Sequence, residues 1–415
     1  MSGFFKLRRT AYVFKKNIVL VISGGVAAYK AAIFARLLIK MDANVKVVMT
    51  SAATEFITAK TMAVLTNQPV LTDLFAEKTG ESIDHITLAD WADYFFVVPA
   101  TANIIAKIAN GVADDAASTV LAARHSPLIV VPAMNENMYL QPAIQRNLKQ
   151  IKDDGDIVID PVDGLLAEGY TGKGRLPEPN EILAYSELAL YQKNGQLKGR
   201  HVVISAGGTV EAIDPVRYIS NRSSGKMGYA LARAAVEQGA DVTLISATSQ
   251  LPDPVGVRTI HIQSAQELSE QMFTALPHAD VIIMAAAVSD YRMAQTAQNK
   301  IKKQDSGELN LTLVENPDIL AQLGSAKTGQ YLVGFAAETQ NLMTYAQNKL
   351  KKKNADMLIA NDVSKDQVGF GYDTNQVTIL TKDKEPEMLP LQSKITLARE
   401  IMKKISIAIN GQVEK

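Results

Sequence analysis

The sequence predicts an α/β fold of two doubly wound, Rossmann-like domains, and three observations predict it. First, one pattern occurs twice. NIVLVISGGVAAYKAAIFARLLIKMDANVKVVMTSAA, at residues 17–53, runs from an apolar β-branched strand through a Ser/Gly turn and an Ala/Leu-rich amphipathic helix to a second apolar strand. RHVVISAGG, at 200–208, resumed after an insertion by GYALARAAVEQGADVTLISATS, does the same. This is β–loop–α–β, the opening unit of a doubly wound sheet. Second, the later strands are continuously apolar: YFFVVPA and PLIVVPA in the first half, VIIMAAAVS, YLVGFAAET and ADMLIAND in the second. Such runs suit parallel strands covered on both faces. Third, 415 residues is a length for two or three domains.

Taken in order, residues 1–16, MSGFFKLRRTAYVFKK, form a basic and aromatic N-terminal extension. It has no clear apolar h-region and no small-residue cleavage site, so it does not read as a secretory signal. A frayed extension and a misassigned start are the two readings left. The first domain spans 17–190. Its helix pattern IQRNLKQI ends near Asp153, and the Gly/Pro-rich DGLLAEGYTGKGRLPEPNEI that follows reads as a long loop. ELALYQKNGQLKGR, at 187–200, reads as a helix and linker, which puts the boundary near residue 190 and the second domain at 191–415.

Composition excludes several classes. With no cysteine there is no disulfide, thiolate metal site or Cys nucleophile, which fits a reducing cytoplasm. The 5 histidines form no HxxxH-type pair, so a His-built metal centre is not expected. Lys+Arg 43 against Asp+Glu 43 gives a net charge of +0, which argues against a generic nucleic-acid binder. No apolar run is long enough to cross a membrane.

Neither half carries GxGxxG, so the paired glycines 24–25 and 207–208 report only a tight turn where open α/β sheets bind ligands. In the first half four polar stretches follow strands: SGGVAAYK, TSAATEF, PATANIIAKIANGVADD and PAMNENMY. Hydroxyls, small residues and free N–H groups at helix starts suit a phosphate beside a flat apolar ring. Without a Walker sequence, a flavin mononucleotide fits better than a nucleoside triphosphate. The candidate cofactor residues are Ser23, Gly24, Gly25, Thr50, Ser51, Thr101, Ala102 and Asn103.

Those stretches, with DHITLADWAD and GYTGKGRLPEP, occur in order over residues 17–180 and resemble the flavin-dependent cysteine decarboxylases, phosphopantothenoylcysteine decarboxylase most of all. The resemblance implies a flavodoxin-like domain that binds FMN and assembles as trimers. It implies that His85 handles protons and that Asn135 holds the substrate carboxylate. Met134 and Met138 read as packing. Many family members carry a cysteine in the motif that reads Leu166-Ala167-Glu168-Gly169-Tyr170 here, and that cysteine is the proton donor. Glu168 is competent in that role if burial raises its pKa. It is otherwise a spectator on a mobile flap, or the decarboxylase is slow.

In the second half RYISNRSSGKMGYALA follows a strand and leads into a helix. Ser223, Ser224 and Gly225 can aim N–H groups at an anion, with Arg217, Arg222 and Lys226 adding charge. Further cationic stretches, NKIKKQ and NKLKKKNADMLIAND, converge from other strand ends on a polyphosphate. The run 349–353 taken alone reads as a solvated helix face. Asp290 suits a ribose hydroxyl or Mg²⁺.

Together GGTVEAIDPVRYISNRSSGKMG, AAAVSDY, KIKK, ENPDIL, GFAAET and KLKKKNADMLIANDVS resemble phosphopantothenate–cysteine ligase over residues 200–370. The whole chain is thus similar to the bacterial bifunctional family of coenzyme A biosynthesis, decarboxylase first and ligase second. By that resemblance the substrates are 4′-phosphopantothenate, cysteine and CTP. Asn221 acts on an acyl-cytidylate with Arg217 in support, and Lys300 contacts the triphosphate. Asp290, Pro317, Asp318, Ile319, Leu320, Phe335, Lys349 and Lys353 contact CTP, with Ala285, Ala286 and Ala287 near the base. The resemblance also implies ligase dimers joining decarboxylase trimers into a dodecamer. The rival readings are a flavin-binding regulatory protein without turnover, an NAD(P)H oxidoreductase, and a ligase with a degenerate first half.

Overall fold

A computed structural model describes residues 13, 15–75, 85–192, 195–247, 250–302, 309–338, 342–362, 369, 371–382 and 384–413. Most of the N-terminal extension therefore lies outside the described residues. The chain divides between Leu190 and Tyr191 into two compact units.

Unit 1 is built on a six-stranded sheet: β1 (Asn17–Ile22), β2 (Asn44–Met49), β3 (Val70–Leu71), β4 (Tyr94–Ala100), β5 (Leu128–Pro132) and β6 (Ile157–Val158). Its order is β3-β2-β1-β4-β5-β6, and every pair is parallel. Leaving aside the two-residue edge strand β3, the order is second, first, third, fourth, fifth, that of the flavodoxin-like sheet. The continuous apolar runs have a direct cause, because successive side chains of a strand point to opposite faces and here both faces are covered. Ile18, Leu20 and Ile22 face one layer with Phe34, Leu38 and Phe96. Val19 and Val21 face the other with Leu88, Ile104, Ile105 and Leu121. The Phe34 and Phe96 rings pack tilted, 5.3 Å between centroids.

The predicted long loop after Asp153 is structured. β7 (Val162–Leu165) and β8 (Thr171–Arg175) pair as an antiparallel hairpin, and a helix follows at Pro179–Gln192. The glycines that suggested a loop serve a close approach instead. A Cβ on Gly174 would lie 2.1 Å from the Met134 carbonyl oxygen, so only glycine lets β8 lie against the segment after β5.

Unit 2 carries an eight-stranded sheet of β9 (His201–Gly207), β12 (Asp241–Ala247), β13 (Arg258–Ile262), β14 (Val281–Met284), β17 (Tyr331–Glu338), β18 (Met357–Asp362), β19 (Thr374–Thr381) and β20 (Lys384–Ser393). Its order is β13-β12-β9-β14-β17-β18-β19-β20, parallel as far as β18 and antiparallel across the last two pairings. Two short ribbons, β10 (Val210–Ala212) with β11 (Tyr218–Ser220) and β15 (Tyr291–Met293) with β16 (Leu313–Glu315), rise from the loops after β9 and β14. The ribbons, the β19–β20 hairpin and the final helix Lys394–Val413 are additions to the predicted element set. That helix buries Leu397, Ala398, Ile401, Met402 and Ile405 at helical spacing. Arg399 also ties it to buried Glu237 on the helix Lys226–Glu237, with N···O distances of 2.6 and 2.8 Å.

Candidate active sites

In unit 1 the eight candidate cofactor residues follow β1, β2 and β4, three adjacent strands, at their carboxyl ends. Two of their hydroxyls are already engaged. Ser23 Oγ donates to the Pro99 carbonyl at 2.8 Å and accepts the Thr101 N–H at 3.0 Å, pinning the turn after β1 to the one after β4. Thr50 caps the turn Ser51–Thr54, accepting the Ala53 N–H at 3.2 Å. Thr101 precedes the helix Ala102–Asn110 in extended conformation and makes no side-chain capping bond. Its hydroxyl and the first N–H groups of that helix therefore form an uncharged donor set. Uncharged donors and alanines along three neighbouring turns fit a flavin phosphate and ring.

A second group forms at the hairpin tip. Gly169, at φ +87°, donates its N–H to the Leu166 carbonyl at 3.0 Å, and Leu166 donates to the Tyr170 carbonyl at 2.9 Å. This closes a three-residue hairpin loop with a left-handed glycine. The loop brings Glu168 and Tyr170 to Asn135, whose Nδ2 donates to Glu168 Oε1 at 2.9 Å and to the Tyr170 hydroxyl at 2.8 Å. The hairpin base is fixed separately. Met134 N–H donates to the Gly174 carbonyl at 3.1 Å, and Lys173 N–H donates to Glu136 at 2.9 Å. Buried Lys30 donates to the Leu176 carbonyl at 3.0 Å and to Glu178 at 2.8 Å. The Lys30 ammonium holds the Glu178 carboxyl below its ordinary range. Asn135 and Glu168 are thus brought together, whereas His85 stands on another element, half-buried at the start of the helix His85–Trp91. Glu168 is exposed, so the single chain does not supply the burial that its expected role as an acid requires.

Unit 2 has a cleft of about 730 Å³ at the carboxyl ends of its parallel strands. It opens between the loops after β9 and β14, where the strand order reverses, the usual ligand position in open α/β sheets. Asn221, Ser223, Ser224, Gly225 and Lys226 line one side, and Ala285, Ala286, Ala287 and Asp290 another. Pro317, Asp318, Ile319, Leu320, Phe335, Lys349 and Lys353 complete the predicted wall. Asn221 Nδ2 donates to the carbonyls of Val288 (3.0 Å) and Ala287 (3.3 Å), fastening the two loops together. Lys349 donates to the Phe335 carbonyl at 3.2 Å, and Lys353 is ion-paired with Asp318. Burial alone would raise Asp318, but Lys353, the Ala321 N–H and Lys349 outweigh it and lower its pKa. Among the described residues no cluster of three His, Cys, Asp or Glu could hold a metal ion. Asp290 lines the cleft, and a lone carboxylate beside substrate phosphates is a donor set that would suit Mg²⁺.

Two family models match the chain: "Flavoprotein" over residues 9–189 and "DNA/pantothenate metabolism flavoprotein C-terminal domain" over 197–408. Three relatives carry the name Coenzyme A biosynthesis bifunctional protein CoaBC. Those from Bacillus subtilis (strain 168) and Vibrio vulnificus (strain CMCP6) are 46% and 45% identical, each over 94% of this chain and 97% of their own. That from Mycobacterium tuberculosis (strain CDC 1551 / Oshkosh) is 40% identical over 95% and 97%. The chain belongs to the CoaBC family.

Two expected cleft residues stand outside the wall. Arg217 does not line the cleft. It reaches buried Asp214 from Nε at 3.0 Å and from Nη2 at 2.5 Å, and Nη2 also donates to the Ile301 carbonyl at 2.9 Å. Asp214 in turn accepts the Ile301 N–H at 3.1 Å. The Arg217 guanidinium first, then the backbone N–H groups of Val216, Ile301 and Arg217, hold the Asp214 carboxyl far below the carboxylate range. Arg217 and Asp214 therefore clamp the segment that carries Lys300. Lys300 itself is exposed and outside the cleft lining, and Lys303 of the same KIKK run lies outside the described residues. Sequence reasoning missed Asn361, Asn375 and Lys394, which also line the cleft. Lys394 is buried and donates to the Gly369 carbonyl at 3.0 Å. Burial first, then nearby Lys226, pushes its pKa down to about 8 against the opposing pull of Asp373. Nothing in LQSKITLARE distinguishes that lysine from a solvated one.

Proposed function

We infer that this chain is a bifunctional enzyme of coenzyme A biosynthesis. Its C-terminal half joins 4′-phosphopantothenate and cysteine at the expense of CTP, and its N-terminal half decarboxylates the resulting 4′-phosphopantothenoylcysteine to 4′-phosphopantetheine. The observation that carries this is the agreement, in the same order, of two family models with the two halves, within relatives matched along 97% of their length.

In unit 2 the 4′-phosphopantothenate carboxylate is a poor acyl donor at neutral pH. Its oxygen attacks the α-phosphorus of CTP, pyrophosphate leaves, and the cysteine amine then attacks the acyl carbon of the acyl-cytidylate to expel CMP. Charge on the leaving phosphates has to be offset. Lys349 and Lys353 on the cleft wall, with Mg²⁺ at Asp290, suit that task, and the segment clamped by Arg217 offers Lys300 from outside it. Asn221, on the cleft wall, holds the acyl-cytidylate.

In unit 1 FMN, when bound, supplies reversible two-electron oxidation of the thiol-bearing carbon, which lets carbon dioxide leave. The turns after β1, β2 and β4 hold its phosphate and ring. Asn135 holds the substrate carboxylate, and His85 handles a proton. Glu168 returns the final proton once substrate and a covering surface bury it. Val26, Tyr29, Ile33 and Phe56 are each more than half exposed on unit 1, which supports assembly into homo-oligomers. Among the described residues no helix is long and apolar enough to cross a membrane.

The test is incubation with 4′-phosphopantothenate, cysteine, CTP and Mg²⁺, followed by mass analysis. The expected product is 4′-phosphopantetheine. Accumulation of 4′-phosphopantothenoylcysteine would leave only the ligase half standing, and absence of CTP consumption would remove the ligase assignment.

A further inference from the structure

We propose that Glu168 is a built-in competitor for the substrate carboxylate: its own carboxylate occupies the Asn135 amide when the site is empty and has to leave before substrate docks. This rests on the reading of unit 1 as the decarboxylase and adds to it a device for regulating occupancy of that site.

The geometry starts at Asn135. Its Oδ1 accepts the Asn137 N–H at 2.9 Å, which fixes the amide so that Nδ2 faces away from the backbone turn. An amide nitrogen has two N–H donors. One goes to Glu168 Oε1 at 2.9 Å and the other to the Tyr170 hydroxyl at 2.8 Å. Both donors are engaged, so an incoming carboxylate finds none at Nδ2 until one partner leaves. Tyr170 is neutral, whereas Glu168 repeats the charge and shape of the incoming group. Two carboxylates on one amide repel each other, so Glu168 is the partner that substrate has to displace.

The loop is built to allow this. The base of the hairpin is held through Gly174, Lys173 and Lys30, as described above. Among the described residues, the exposed tip, residues 167–169, is closed by its own turn bonds and its contacts to Asn135. Displacing Glu168 from Asn135 therefore leaves every bond at the base in place. A cysteine at the same position would be a far weaker competitor, because a thiol carries no charge and is a poor acceptor. Glutamate there adds a threshold that ligands bearing a carboxylate must overcome.

The test titrates the full-length, FMN-loaded protein with two ligands and reads the flavin absorbance shift, which reports unit 1 alone. The ligands are 4′-phosphopantothenoylserine and its decarboxylated counterpart, 4′-phosphopantothenoylethanolamine. They differ only by the carboxylate, and both lack the thiol that the redox step needs. In Glu168→Ala the serine ligand should bind roughly tenfold tighter, the order expected for removing one charge-assisted hydrogen-bond competitor. The ethanolamine ligand should bind as in the parent. Glu168→Gln, which keeps the shape and removes the charge, should move the serine ligand in the same direction by less. Tyr170→Phe frees the other N–H of Asn135 but leaves the Glu168 charge beside it, so the serine ligand should tighten by less than in Glu168→Ala and the ethanolamine ligand should be unmoved. Equal tightening of both ligands in Glu168→Ala, or no change in either, overturns the proposal while leaving the decarboxylase assignment intact. A parent protein whose flavin responds to neither ligand overturns both.

Discussion

Asn221 and Lys394 line the same cleft, yet only the first could be picked out from the sequence. Asn221 sits in SNRSSGK, where polar and cationic residues crowd a turn between a strand and a helix, a setting that suits an anion. Replacing it with alanine should lower the ligase kcat by about a hundredfold or more, the loss typical of a stabilising donor at a reacting centre. CTP consumption in the full-length protein checks this, with an unchanged unfolding midpoint excluding misfolding. Lys394 was illegible because its burial depends on Gly369 and on helix docking, both distant in sequence. Its pKa, near 8 in the fold, lies below the ordinary lysine value of 10.5, so the unfolded state holds the proton more tightly. Stability from this group is therefore lowest below about pH 8 and rises as pH climbs from there toward 10.5. In Lys394→Met that contribution vanishes. Urea midpoints of parent and variant at pH 7 and pH 9.5 should show the parent gaining relative to the variant at the higher pH, and a constant difference would contradict the assignment.

Elements were legible in proportion to how far they obeyed a single periodicity. The nine strands anticipated from apolar runs all form, and their central residues are buried on both faces of the sheets. The hairpin β7–β8 was hidden by its glycines. TGKGR has no side chain to mark a buried face, because its task is to let β8 approach the Met134 carbonyl. Gly174→Ala should therefore undock the hairpin at a cost of about 1–3 kcal/mol, the range for forcing atoms into an occupied site. The expected outcome is lost decarboxylation with ligase activity retained, measured as carbon dioxide release against CTP consumption. β20 was hidden for a different reason. KEPEMLPLQS carries charges and two prolines, which are admissible only on an edge strand, and β20 ends the sheet.

At the scale of the whole molecule, the repeated β–loop–α–β opening announced two doubly wound units, and each gathers its polar turns at the carboxyl ends of its parallel strands. What the sequence could not convey is the division of labour around unit 2. Arg217 and Lys300 are charged residues of a clamped segment beside the cleft, while Lys394 and Asn375 form its wall. The central claim is that two separate rims carry out consecutive steps, and single-site variants can separate them. Asn221→Ala protein alone should form 4′-phosphopantothenoylcysteine from 4′-phosphopantothenate, cysteine and CTP at about a hundredth of the parent rate or less. Asn135→Ala protein alone should stop at 4′-phosphopantothenoylcysteine. In mass analysis of the two variants mixed, 4′-phosphopantetheine should reappear, and a mixture that yields none while Asn135→Ala still supplies the intermediate would rule out two separate rims.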